Sequence, residues 1–151
     1  MKKLLMLIEE LESRVLQKDE IDLQTSNVNV GWHIMHVIMA TIIIADQLLK
    51  SVPGNYKRNF NINRLIIFTI NKIPRGTAQA PEAVMPSGKI TIERLLKYIE
   101  ITKQKINDMH GLQPNSHFQH PYLGILSSGL AVRFMVIHIK HHLKIINDIL
   151  K

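Results

Sequence analysis

The stretch from about residue 28 to residue 50, with VIMATIIIA at its centre, reads as a helix that is apolar nearly all round. Such a helix has no face to leave in water, so other parts of the chain must enclose it. Its longest apolar run, residues 37–45, falls short of the roughly 20 residues that cross a bilayer, and walls of protein are expected. Ser26 or Asn27 is the expected N-cap, and Pro53 with Gly54 stops the helix.

Three further long helical stretches supply the walls. Leu4, Leu5, Leu7, Ile8, Leu11 and Val15 form an apolar stripe between Lys3 and Gln17. TIERLLKYIEITKQKINDM, capped by Thr91, presents Ile92, Leu95, Leu96, Ile99 and Ile106. The last stretch runs from about Ser127 to Leu150, with Ser127 or Ser128 as its cap. Between the second and third lies a long connection, residues 51–90, with a short helix in NRLIIFTINKI and an irregular loop in PRGTAQAPEAVMPSGK. A connection of that length often covers a site, and it lets the chain cross the end of a bundle. No repeat is present, and no alternation is long enough to demand a sheet. The 151 residues suit one domain, 1–151. The fold expected is all-α, an antiparallel four-helix bundle with a long crossover between the second and third long helices.

Histidines interrupt the two most apolar stretches. The last carries His138, His141 and His142, and the second carries His33 and His36. On a helix, His138 and His142 lie about 40° apart and one turn apart, with Cβ atoms roughly 6 Å from each other. Two imidazoles so placed close on one metal ion. His36 shares a face with Ala40 and Ile43, which points it into the core beside the last helix. Three neutral imidazoles from two helices would leave a fourth coordination position open, as in a catalytic zinc-type centre. The competing reading is a set of hydrogen-bonded core histidines. Burying each imidazole without a partner costs on the order of 1–3 kcal/mol, and a metal satisfies all of them at once. Haem would ask for more aromatics, and a di-iron centre for Glu-x-x-His pairs that neither helix contains.

The chain has no cysteine, so thiolate ligands are excluded and any thiol must come from a small molecule. There is no Gly-rich phosphate loop, no GxSxG and no HExxH. The formal charge is +7, but the basic residues are scattered and aromatics make up 5%. A solvated basic surface is therefore expected in preference to a nucleic-acid interface. MKKLLMLIEELESRV starts like a signal peptide, yet Glu9, Glu10 and Glu12 break the apolar run. A first helix of a cytoplasmic protein, without membrane attachment, is the expectation.

Four segments together, VGWHIMHVI, FNINRLIIFTINKIPRGTAQAPEAVMPSG, FQHPYLGIL and RFMVIHIKHHLKIINDIL, give the chain a further likeness. From Val30 onward it resembles the DinB/YfiT-like superfamily, and within it a bacterial branch catalogued as a domain of unknown function. The resemblance implies a four-helix bundle, a homodimer, and a divalent metal held by three histidines. The matching positions are His36, His138 and His142, with His33 and His141 as neighbours outside the triad. Zinc or nickel is the metal expected, with iron as the alternative. Relatives of known activity include thiol-dependent isomerases and S-transferases, which implies similar chemistry on a small-molecule substrate.

His120, ahead of Pro121 and just before the last helix, is read either as an acid/base residue at the mouth of the site or as part of a turn. His120 and His141 are the candidates for moving protons. Arg75 is read as either an anion contact or a solvated loop residue, and Trp32 as core packing in preference to part of a substrate pocket. Two functions stand at this stage: a metal-dependent enzyme, either a thiol transferase or isomerase or a hydrolase, and a non-catalytic bundle that holds a metal or small ligand.

Overall fold

The computed structural model describes residues 1–76 and 80–151. Residues 77–79 of the loop expected at 74–89 lie outside the described residues. Among the described residues there are five α-helices: α1 (Lys2–Glu12), α2 (Val30–Lys50), α3 (Ile62–Ile70), α4 (Ile92–Asp108) and α5 (Ser128–Ile149). Two short strands, β1 (His117–His120) and β2 (Gly124–Ser127), pair antiparallel ahead of α5.

α1 packs on α4 and α5, and α2 packs on the same two, so the four long helices close a ring. The core inside it includes Leu4, Ile8, Ile34, Ile38, Ile99 and Ile146, all sealed from solvent. α2 is long and apolar enough to cross a membrane by length and composition, but most of it is buried in this core. Gly31, near its start, lies against Ile90, and Asp46, near its end, binds Lys105 of α4. α2 and α4 therefore run in the same direction. Pairs between residues 33 and 142, and between 36 and 138, show that α5 runs the opposite way. The connection expected to cross the end of the bundle does so between α2 and α4, and these two flanking helices run parallel while α5 is antiparallel to α2.

Local chemistry accounts for the boundaries. Asn29, not Ser26 or Asn27, caps α2, its side chain accepting from Trp32 N at 2.9 Å. Ser26 is bound to His33 instead. Thr91 caps α4 as its position foretells, accepting from Arg94 N. α1 ends at Glu12 and a separate 3-10 turn covers Val15–Gln17, so the first helix stops short of the Gln17 end that its stripe suggests. Asn71 ends α3 in the left-handed region at φ 51°, which asparagine tolerates better than most residues.

The hairpin is the departure from an all-α fold. Each strand has four residues, too few for alternation to announce them, yet Phe118 and Leu126 face each other and are both buried. Gly124 holds φ +71° where the turn enters β2. The hairpin packs on α2 and α5 and so stands beside the histidines of both.

Candidate metal centre

Capping at Asn29 sets the phase of α2 so that His33 and His36 both turn inward, each about 5% exposed. From α5, His142 is buried and His138 half-buried beside it. One ring nitrogen from each of His36, His138 and His142 lies within 4.8 Å of the other two. This group can hold a metal ion.

The geometry agrees with imidazole ligation. Nitrogens bound tetrahedrally at about 2.0–2.1 Å from one ion stand roughly 3.3–3.4 Å apart. His36 Nε2 and His138 Nε2 are 3.2 Å apart, so one edge of that figure exists already. The hydrogen bonds behind the rings choose the same nitrogens. His36 Nδ1 donates to the carbonyl of Val84 at 2.8 Å, which leaves Nε2 as the lone pair. His142 Nδ1 lies 3.0 Å from His33 Nδ1, and His33 Nε2 lies 3.0 Å from Ser26 Oγ. A proton on His142 Nδ1, donated to His33, and one on His33 Nε2, donated to Ser26, satisfy both contacts and free His142 Nε2. Trp32 stacks on His36 with ring centroids 5.1 Å apart and planes within 9°. Reading Trp32 as core packing is thereby corrected: it is half-exposed and lines the cavity beside the triad.

Electrostatics favour neutral rings. Burial pushes His138 and His142 well below the usual imidazole range, and the neighbouring histidines push the same way. Burial lowers His36, partly opposed by its bond to Val84. His33 is lowered to about 4, chiefly by burial and then by His36, His141 and Arg75. Neutral imidazole is the form that binds a metal.

The triad borders a cavity of about 610 Å³. Ile43 and Ile44 of α2, Ile67 of α3, Pro81 of the long connection and Phe134 of α5 make most of its wall apolar. The connection thus covers the site, and Val84, 48 residues from His36, contributes the carbonyl that orients it.

The two candidate proton carriers line the same cavity. His120 Nδ1 accepts from both Tyr122 N and Leu123 N at 3.1 Å. Its ring meets Phe134 edge-on at 4.6 Å, and burial lowers it to about 4. The turn reading of His120 therefore holds, and the same ring borders the cavity. His141 bonds to the backbone of Ile73 and is lowered by burial and then by Arg75. Arg75 itself turns to Asp148 at 2.6 Å. Sequence reasoning placed His33 outside the triad but did not foresee its link to His142. The signal available was spacing: residues 33 and 36 are three apart and share a helix face.

Fold and site together define a mostly helical protein with a small hairpin and a three-histidine group that can bind a metal. Comparison with protein-family models, with curated proteins and with solved structures finds no match for the chain.

Proposed function

We propose that this protein is a metal-dependent enzyme of the DinB/YfiT-like kind, its helical ring being that superfamily's four-helix bundle. His36, His138 and His142 would hold a divalent ion, zinc or nickel in the first instance. One observation carries the reading: three imidazoles from two helices, with backbone or side-chain partners behind two of them, converge on the edge of an apolar cavity.

An ion so held supplies Lewis acidity, polarising a carbonyl or lowering the pKa of a thiol or water. The chain's own groups do the rest. Apolar walls favour a substrate with an apolar body and exclude bulk water from it. His120 has both backbone donors on Nδ1, so in its neutral form the proton sits on Nε2 and the ring serves as a donor. His141, bonded to Ile73, is the second group able to exchange a proton in the cavity. With no cysteine in the chain, thiol chemistry requires a low-molecular-weight thiol as co-substrate. Transfer or isomerisation with such a thiol is the leading reaction, and hydrolysis is its variant. A cytoplasmic homodimer belongs to the same reading.

Metal analysis after loading with zinc tests the site. One equivalent is expected in the wild type and a large loss in His36→Ala and His142→Ala; equal metal in all three discards the ligand assignment. A thiol-transfer screen with and without chelator then tests the chemistry. Absence of chelator-sensitive turnover with any thiol would leave a binding protein without catalysis.

A further inference from the structure

Positive charge is scattered along this chain, but net charge is not. Residues 47–81 contain six lysines or arginines and no acidic residue, whereas the other 116 residues contain 13 and 12. Nearly all of the +7 therefore arises in one stretch, the connection that carries α3. A scan for adjacent basic residues passes over it, because the signal is missing acids.

The structure sorts these cations into two sets. Arg64 is turned inward onto Asn59 and the carbonyl of Ile125, and Arg75 is bound by Asp148. Lys50, Lys57, Arg58 and Lys72 are exposed, and among the described residues no acidic side chain pairs with them.

Between them lies an uncovered apolar face. α3 seats Phe68 in the core, while Leu65, Ile62, Ile66 and Ile70 are 54%, 54%, 49% and 46% exposed. At 100° per residue those four fall on one continuous arc of about 140°, with Ile66 and Ile70 roughly 160° from Phe68 and Leu65 about 60° from it, and Ile66 also borders the cavity. Phe60, just before the helix, is 81% exposed. A nine-residue helix thus carries apolar side chains on both sides and has only one side covered. Contiguous exposed patches of this kind mark interaction surfaces.

Charge selects the occupant. A second copy docking by the same face across a two-fold axis would set the two groups of unpaired cations near each other. Nucleic acid offers negative charge but no apolar layer for five large side chains. A bilayer rich in anionic lipid offers both, with headgroups for the cations and the acyl boundary for the helix. We propose that α3 and its flanks form a docking element for an anionic membrane surface, with Phe60, Ile62, Leu65 and Ile70 entering the interface. Lys50, Lys57, Arg58 and Lys72 meet the headgroups. Docking is peripheral and reversible, and it does not depend on the metal centre.

Vesicle flotation of the full chain tests this, using phosphatidylcholine alone and phosphatidylcholine with phosphatidylglycerol. Binding is expected to the mixed vesicles only, and to weaken as salt is raised. Lys57→Ser/Arg58→Ser and Phe60→Ser/Leu65→Ser, none of which lines the cavity, should each lower partitioning about tenfold or more. Unchanged zinc binding and far-ultraviolet circular dichroism in both variants would show intact folds. No binding of the wild type to mixed vesicles overturns the proposal, as does full retention of binding by either folded variant. Light scattering without vesicles covers the other occupant: a wild-type oligomer that Phe60→Ser/Leu65→Ser dissociates would assign the face to a second copy.

Discussion

His33 and His142 meet Nδ1 to Nδ1 at 3.0 Å, and only one of the two can bring the proton. If His142 brings it, Nε2 of that ring is free for a metal and His33 passes its own proton outward to Ser26. The contact sets the orientation of both rings, and a metal on His142 Nε2 would select the tautomer in which His142 is the donor. His33→Ala is expected to lower zinc affinity by about 10–100-fold, the usual effect of removing the partner behind a ligating imidazole. His33→Asn, with an amide oxygen able to accept from His142, should recover part of it. Competition titration against a chromogenic chelator measures both. Equal affinity in the wild type and His33→Ala would mean that His142 needs no such partner.

Acid should loosen the hairpin through His120. Its folded value, about 4, lies below the ordinary 6.5, because burial disfavours the imidazolium. Below pH 6.5 the unfolded chain therefore binds the extra proton more readily. Stability from this group is complete above pH 6.5 and is lost as the pH falls through about 4. Protonation at Nδ1 also breaks the bonds from Tyr122 and Leu123, together about 1–2 kcal/mol. Urea unfolding of chelator-treated protein at pH 7.5 and 4.5 should show a drop, and His120→Gln should show a smaller one. An equal drop in the variant would assign the acid sensitivity elsewhere.

Gly124 has two reasons to be glycine. Its φ of +71° is left-handed, and a Cβ there would stand 2.5 Å from Asn59 Nδ2. Gly124→Ala should cost about 1–2 kcal/mol from the backbone alone, with the contact adding to it. Thermal unfolding measures the loss. A Tm equal to that of the wild type would mean that the turn adopts another conformation.

Core and surface contacts between the same helices should differ sharply. Ile99 of α4 is fully buried, and Ile99→Ala should cost about 2–5 kcal/mol. Asp46 binds Lys105 at 2.5 Å, but the pair is partly solvated. Water and salt weaken such pairs, so Asp46→Ala should leave the urea midpoint nearly unchanged. A large shift would give the ion pair a structural role that its exposure does not suggest.

The long helices were legible because each carries its own signal: apolar periodicity, a cap at Thr91, a stop at Pro53 and Gly54. The triad was legible for a similar reason, since His138 and His142 share a face and His36 sits on the most apolar helix. What escaped depends on contacts distant in sequence. Val84 acts through a carbonyl, which every residue has, and nothing in its side chain announces that role. Ser26 looked like a cap because serine caps helices, but His33 competes for its hydroxyl and Asn29 takes the cap. The strands at His117–His120 and Gly124–Ser127 are stabilised by each other and by the helices beneath them, so four-residue patterns could not reveal them. The uneven net charge was visible all along, but only to a count of acids.

Because α2 and α4 point the same way, the polypeptide between them must travel back along the helices, and that obligatory return roofs the cavity. The three histidines and the segment that covers them consequently lie in different stretches of the chain, joined at one backbone carbonyl. Exchanging the return segment for another of equal span would give a new pocket above the same imidazoles. The architecture lends itself to diversification by grafting a single loop.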